Sequence, residues 1–123
     1  MTKEKIIVTS GDFDPISIKE LQFLQKCRAK GDWLVVGLHS NIAVHMKTAK
    51  LNQDYEERKE ILSNIKGVDE VFRFDDADGT VCNLLKLIKL CYPLAEITYV
   101  SEHDMHNMPE TKIRGITFEV LKA

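Results

Sequence analysis

The chain has 123 residues, 44% of them hydrophobic, and a formal net charge of −2. This length and apolar content predict one folded domain over residues 1–123, and the mixed charges argue against nucleic acid or an anionic membrane as a partner. No apolar stretch approaches the ~20 residues of a membrane span, and the amino terminus lacks the apolar core of a signal peptide.

Cysteine usage indicates a reducing compartment. Cys27, Cys82 and Cys91 are widely spaced, and no two of them form a C-x-x-C pair. An odd, scattered set is typical neither of a disulfide framework nor of a zinc site. We therefore expect all three to be small buried hydrophobic residues of a cytoplasmic protein.

The first stretch has the pattern of a strand, a glycine loop and a helix. Ile6–Val8 is a β-branched apolar run of the kind found in buried strands, and residues Gly11 to Pro15 form a tight loop. Apolar residues then recur near helical spacing from Ile16 until Lys30-Gly31 closes the helix. A strand that leads through glycine into a helix points backbone N–H groups at an anion.

The remaining elements alternate in type. A strand over 32–38 is followed by a short helix through His45, which Ser40 or Asn41 caps, and the polar stretch 46–53 is expected to be flexible. Asp54 caps a further helix that ends at Gly67. The later apolar patterns predict, in order, a strand over 68–74, a helix over 81–90, a strand over 96–100, a polar loop over 101–111 and a strand over 113–121.

This alternation predicts an α/β fold of the Rossmann-like type. Successive strand–helix pairs form a doubly wound parallel sheet with helices on both faces, which gives three layers. We expect the first strand to be central and ligands to bind at the carboxyl edge of the sheet, where the strand order switches. The loops at that edge are 9–16, 37–41, 75–80 and 101–109.

The first loop resembles that of the HxGH nucleotidyltransferases, the cytidylyltransferase-like family. Their loop reads G-x-F-D-x-x-H-x-G-H, and Gly11, Phe13 and Asp14 match it at their spacing. A second segment, Tyr55–Lys59 with Val68–Val71 beyond it, closely resembles bacterial glycerol-3-phosphate cytidylyltransferases. The resemblance covers residues 4–121 and implies the nucleotidyltransferase version of the Rossmann-like fold.

The catalytic positions differ from the family motif. Ser17 and Glu20 stand where the two histidines belong, and Lys19 stands at the glycine. Histidines at i and i+3 share a helix face and can donate to a triphosphate, whereas a carboxylate there has the wrong sign of charge. Family members also carry R-x-x-x-[IV]-S-[ST]-[ST] past the last strand, and the sequence stops at Ala123 before such a motif.

The resemblance also implies a nucleotide-binding set. A lysine in the flexible stretch reaches the phosphates in the family, and either Lys47 or Lys50 fills that place. The turn after the fourth strand ends in an aspartate, and residues 107–110 resemble N-x-P-E. The implied nucleotide-binding residues are Gly11, Asp12, Phe13, Asp14, Lys47, Lys50 and Asp104.

Each candidate also has a structural interpretation. Ser17 and Asp14 are common helix caps, Glu20 suits a solvent-facing helix surface, and lysines at 47 and 50 suit a solvated loop.

The histidines give little support to a metal site. His39 and His45 are expected at the surface rather than as ligands. His103, Asp104 and His106 fall in an irregular loop that lacks an obvious fourth ligand, so no metal site is expected.

These observations favour a catalytically degenerate member, a pseudoenzyme kept as a nucleotide-binding or assembly module for CTP or ATP. The alternative is an active nucleotidyltransferase that joins CMP or AMP to a phosphorylated small alcohol such as glycerol 3-phosphate, with Mg²⁺ as cofactor. The resemblance further implies a homodimer that pairs next to the active-site edge.

Overall fold

The computed structural model describes residues 4–105 and 108–122. The elements of this part follow in the order β1 Lys5–Gly11, α1 Ile18–Arg28, β2 Trp33–Leu38, α2 Asn41–Thr48, α3 Tyr55–Ser63, β3 Glu70–Phe72, α4 Cys82–Cys91, β4 Glu96–Ser101 and β5 Ile116–Val120. A single 3₁₀ turn, Pro109–Lys112, lies between the last two strands.

The strands form one parallel sheet with β1 at its centre. The order is β3-β2-β1-β4-β5, and every neighbouring pair is parallel. Ile6 lies opposite Trp33 of β2 on one side and Ile97 of β4 on the other. The predicted central position of the first strand is confirmed, and the strand order switches between β1 and β4.

Helices cover both faces of the sheet because the inner strands β1, β2 and β4 place buried side chains on both sides. Ile7 of β1 points to the layer of α1 and α3, where Leu24 and Leu62 are buried. Its neighbour Ile6 points to the opposite layer, where Leu84 of α4 is buried. Side chains alternate in this way along any strand, so two cores form on the two faces. The predicted three-layer α/β fold is confirmed.

Local capping sets the helix bounds. α1 begins at Ile18 rather than at the predicted Ile16, because Ser17 is its N-cap. α2 continues to Thr48, so the prediction of a flexible segment over 46–53 is wrong for residues 46–48. Asp54 caps α3 as predicted, accepting from the Glu57 N–H at 3.0 Å. No helix in the described ranges is long and apolar enough to cross a membrane.

Other bounds are shorter than the apolar patterns predicted. α3 ends at Ser63 and not at Gly67. β3 and β5 are edge strands, each paired along one side only, and they span 70–72 and 116–120 instead of 68–74 and 113–121. The length of an edge strand is set by how many residues its one neighbour can hydrogen-bond. A run of apolar residues does not indicate that number.

The prediction of three buried cysteines is correct for one of them. Cys27 of α1 is buried, Cys82 at the start of α4 is half-buried, and Cys91 at its end is exposed. All three are free thiols. Cys91 follows Leu84 and Ile88 at i+7 and i+3 on the same face, but it is the last residue of α4 and is exposed there.

Candidate functional site

A cleft of about 1170 Å³ opens at the carboxyl edge of the sheet. The ends of β1, β2 and β4 border it, as the switch in strand order predicts. Its walls combine aromatic and methionine side chains with a few polar groups, among them Ser10, His39, Lys47, Phe74, Tyr99 and Met105. A concave site of this size and make-up suits a nucleotide-sized ligand.

Ser17 and Glu20 serve the start of α1 and do not line this cleft. The Glu20 N–H donates to Ser17 Oγ at 3.1 Å, and the Ser17 N–H donates to Glu20 Oε1 at 2.9 Å. This reciprocal arrangement is a capping box, which satisfies two N–H groups that the helix leaves unpaired. Both side chains therefore have a structural task at the positions where the family motif has histidines.

The loop from Gly11 to Asp14 is held by its own packing and by hydrogen bonds to the segment before α3. Phe13 is buried and has a φ of 47°, and its ring lies where a Cβ on Gly11 would approach it to 2.8 Å. Asp14 does not cap α1. Its carboxylate accepts from the N–H groups of Asn52 at 2.9 Å and Gln53 at 2.6 Å, which ties the segment before α3 to the loop.

Arg58 of α3 joins the loops that border the cleft. It is 1% exposed, and its guanidinium donates to the carbonyl oxygens of Asp12, His39 and Gln53 at 2.8 to 3.0 Å. It also donates to Asn41 Oδ1 at 2.9 Å. Burial lowers the pKa of Arg58. Its planar guanidinium satisfies four acceptors on three segments: the loop after β1, residues 39–41 and the residue before Asp54.

Asp12 and His39 meet at the ends of β1 and β2. His39 Nδ1 lies 2.6 Å from Asp12 Oδ1, and Lys47 Nζ donates to the same oxygen at 3.2 Å. The hydrogen bond from His39 and the charge of Lys47 hold the pKa of Asp12 below its usual range, against the opposing effect of burial. Lys47 lines the cleft, whereas Lys50 does not and its side chain is exposed.

The β4 side supplies a hydroxyl pair and a buried acid. Ser10 Oγ and the Tyr99 hydroxyl are 2.7 Å apart, and burial raises the pKa of Tyr99. Glu110 is 2% exposed and its Oε2 accepts from the Val81 N–H at 3.0 Å, which anchors the start of α4. Its Oε1 is buried without a hydrogen-bond partner in the described part of the chain.

The loop after β4 also contributes to the cleft. Asp104 and His103 line it, whereas His106 and Asn107 lie outside the described residues. No group of three or more histidine, cysteine, aspartate or glutamate side chains within 4–105 and 108–122 is arranged to hold a metal ion. The role of Asp104 in nucleotide binding stays a prediction.

Sequence reasoning missed three residues of this site. The prediction that His39 lies at the surface is wrong, because its side chain is 17% exposed and borders the cleft. Arg58 lies within the segment that carries the most specific resemblance, but no sequence pattern predicts its four hydrogen bonds. Glu110 was visible only as the last residue of the N-x-P-E pattern.

The parallel sheet, its strand order and its cleft define a nucleotidyltransferase-type Rossmann-like fold. The chain belongs to the cytidylyltransferase-like family, whose family model matches residues 8–119.

Two relatives show how far the sequence similarity extends. The bifunctional protein HldE of Wolinella succinogenes is 39% identical over 74 residues, which are 58% of this chain and 16% of that protein. The glycerol-3-phosphate cytidylyltransferase of Staphylococcus aureus is 34% identical over 67 residues, 54% of this chain and 51% of that protein. This chain thus matches about half of one relative's length and far less of the other's.

Solved structures agree on the fold. A lipopolysaccharide core biosynthesis protein from Thermoplasma volcanium superposes with a TM-score of 0.68 at 17% identity, covering 98% of both chains. A putative nicotinate-nucleotide adenylyltransferase from Vibrio parahaemolyticus superposes with a TM-score of 0.66 at 21% identity, covering 97% of this chain and 74% of that one. At these identities the likeness concerns the fold alone.

Proposed function

We propose that this protein binds a nucleoside triphosphate, CTP or ATP, and that it has lost nucleotidyltransferase activity. The observation that carries the proposal is the capping box of Ser17 and Glu20. The two positions that supply phosphate-binding histidines in the family motif here hold each other at the start of α1, and neither lines the cleft.

The chemistry explains why this arrangement lowers catalysis. Nucleotidyl transfer depends on positioning the phosphates and on stabilising charge as pyrophosphate leaves. Loss of one well-placed donor costs ~10²–10³ in rate in comparable sites. This chain lacks both imidazole donors and has the carboxylate of Glu20 in the place of one of them. Such losses are not additive, so we expect turnover to be very low rather than a particular value.

The cleft itself supports retained binding. It lies at the switch between β1 and β4, where ligands of doubly wound sheets bind. Phe74, Tyr99 and Met105 give apolar surface for a base, and Lys47 and His39 give polar groups for phosphates. This division of a pocket into an apolar part and a few polar groups is typical of small-molecule sites.

The remaining parts of the proposal concern cofactor, assembly and location. Mg²⁺ belongs to the alternative of an active transferase, in which phosphates and water would supply most of its ligands, because no preformed cage exists among the described residues.

We propose a homodimer, which sedimentation at micromolar concentration checks against the 14.1 kDa of one chain. The free thiols agree with the proposed cytoplasmic location.

Calorimetry with CTP, ATP and UTP, together with a pyrophosphate-release assay containing glycerol 3-phosphate and Mg²⁺, tests the function. We expect binding of CTP or ATP and no pyrophosphate release above background. Ala43→Trp serves as a control, since Ala43 lines the cleft and the indole would fill part of it; this variant should lose binding while it stays folded by circular dichroism. Robust turnover by the unchanged protein would show an active transferase, and the absence of any nucleotide binding would refute the proposal.

A further inference from the structure

An aspartate–histidine pair borders the cleft on the side of β1 and β2. The register that places Gly11 opposite Leu38 brings the next residues, Asp12 and His39, side by side. His39 Nδ1 lies 2.6 Å from Asp12 Oδ1, and Lys47 Nζ reaches the same oxygen at 3.2 Å. This cluster is separate from the HxGH positions on α1.

The imidazole of His39 is held in one orientation. Its ring packs edge-on against Phe74, with centroids 5.9 Å apart and an interplanar angle of 64°. Its carbonyl oxygen accepts from Arg58 at 2.8 Å, which fixes the backbone beneath the ring. Nδ1 is occupied by Asp12, and Nε2 has no hydrogen-bond partner among the described residues. Because the ring lines the cleft, Nε2 is the nitrogen available to an occupant.

We propose that His39, oriented by Asp12 and flanked by Lys47, contacts the phosphates of the ligand in the cleft through Nε2. The inference rests on the proposed function and deepens it. Phosphate recognition then lies at the ends of β1 and β2 instead of at the start of α1. Asp12 is a positioning residue, because it acts through His39.

The charges of the cluster support an anionic ligand. With Nδ1–H donating to Asp12, Nε2 donates a hydrogen bond only when the imidazole is protonated. A phosphate oxygen in the cleft is a suitable acceptor for that Nε2–H. The Lys47 ammonium offsets the ionised Asp12 carboxylate, so a protonated imidazole gives the cluster one net positive charge.

Acids elsewhere on the same wall are already engaged. Asp76 accepts from the Ser40 N–H at 2.7 Å and from its hydroxyl at 2.8 Å, and Asp75 accepts from the Ala77 N–H at 3.0 Å. Arg73 also lines the cleft, and its guanidinium is paired with Glu56 at 3.2 Å. The carboxylates of Asp75 and Asp76 are thus held by hydrogen bonds to residue 77 and to the start of α2.

Two amide variants separate the roles of the imidazole nitrogens. His39→Asn places an amide nitrogen near the position of Nδ1 and removes the group that faces the cleft, whereas His39→Gln extends an amide toward the position of Nε2. By calorimetry we expect H39N to weaken CTP binding about tenfold, as for loss of a hydrogen bond to a charged group, and to leave cytidine binding unchanged. H39Q should recover most of the CTP affinity.

His45→Asn is the matched control, because His45 lies on the exposed part of α2 and outside the cleft lining. It should leave both affinities unchanged. An H39N variant that binds CTP as tightly as the parent, or that loses cytidine and CTP affinity equally, would overturn the inference.

A nucleotide-independent measurement distinguishes this inference from the proposed function. Pyrophosphate is titrated into ¹⁵N-labelled protein while the imidazole nitrogens are followed by NMR. We expect the His39 Nε2 signal to move to the range of a protonated nitrogen, and the His45 signals to stay in place. If the protein binds pyrophosphate at His39 but neither CTP nor ATP, only the proposed function fails. If millimolar pyrophosphate leaves the His39 signals unchanged, the inference fails even if nucleotides bind.

Discussion

Arg58 Nη1 donates to the carbonyl oxygen of His39 at 2.8 Å from a side chain that is 1% exposed. A buried arginine in this position orders the loop after β2 through the backbone, and it orders the loop after β1 in the same way through Asp12. The geometry of the candidate site thus depends on a residue that does not line the cleft.

Arg58→Ala should lower the free energy of unfolding by about 3 kcal/mol or more, because each buried acceptor left unpaired costs ~1–3 kcal/mol. Urea denaturation measures the change. Arg73→Ala is the control: Arg73 stacks over the Tyr55 ring at 3.8 Å but is 65% exposed, so its loss should cost less than about 1 kcal/mol. Equal effects of the two variants would contradict the role given to Arg58.

The capping box makes a separate prediction about stability. Ser17→Ala should cost about 1 kcal/mol, as for the loss of other N-caps. Glu20→Ala should cost less, and Glu20→Gln should retain most of the stability because glutamine also completes a capping box. A double-mutant cycle between the two positions should give a measurable coupling energy. Strict additivity would mean that the reciprocal bonds do not cooperate in solution.

Restoring the family motif should change binding and stability in opposite directions. Glu20→His removes a carboxylate and introduces a donor, so nucleotide affinity should rise, and it should rise further when Ser17→His and Lys19→Gly are added. The triple variant should also lose about 1–2 kcal/mol of stability, because it gives up the caps and gains a helical glycine. Calorimetry and urea denaturation measure the two effects. Weaker nucleotide binding by the triple variant would instead mark Ser17 and Glu20 as working residues of another site.

The fold could be predicted from the sequence, but most of the site could not. Runs such as Ile6–Val8 and Leu34–Val36 are apolar on both sides, and they indicate a sheet covered on both faces. The pairing of Asp12 with His39 depends on the register between β1 and β2, which apolar patterns do not fix. The sequence thus shows that β1 and β2 end in polar loops, but not which polar side chains meet there.

Ser17 and Glu20 show a different limit. Their spacing fits both a pair of altered catalytic positions and the S-x-x-E pattern of a capping box. Taken one at a time, Ser17 predicts a helix cap and Glu20 a surface acid, and neither prediction includes the bond between them. The sequence also predicts a capping role for Asp14, but its carboxylate accepts from the N–H groups of Asn52 and Gln53 instead.

The pKa of Asp12 gives a prediction about acid sensitivity. His39 and Lys47 hold this pKa below the ordinary value of 3.8. Folding therefore favours the ionised carboxylate, and the resulting stability is fully present above that value and is lost as pH falls through the lower folded pKa. Asp12→Asn should be less stable than the parent near neutral pH, and the difference should narrow in acid. Urea midpoints across a pH series measure it, and a difference that widens in acid would contradict the assignment.

The thiols should differ sharply in reactivity. Burial raises the pKa of Cys27 to about 12, and its side chain is inaccessible, whereas Cys91 is exposed. Because the thiolate is the reactive species, iodoacetamide should modify Cys91 first and should reach Cys27 only after unfolding. Mass spectrometry of timed samples assigns the sites, with Cys91→Ser as the control. Early modification of Cys27 in the folded protein would show that α1 opens more readily than its packing indicates.

The reciprocal bonds at the start of α1 also constrain how the chain can change by single substitutions. Histidine at position 17 or at position 20 alone removes one of the two bonds and supplies only one imidazole. A pair of phosphate donors on the helix face needs both histidines. The first substitution therefore lowers stability before the second completes the pair. The native pair therefore opposes single substitutions toward the histidine pair of the family motif. A scan of all single and double variants at these two positions should show that stability falls at the first substitution, before the second histidine is present.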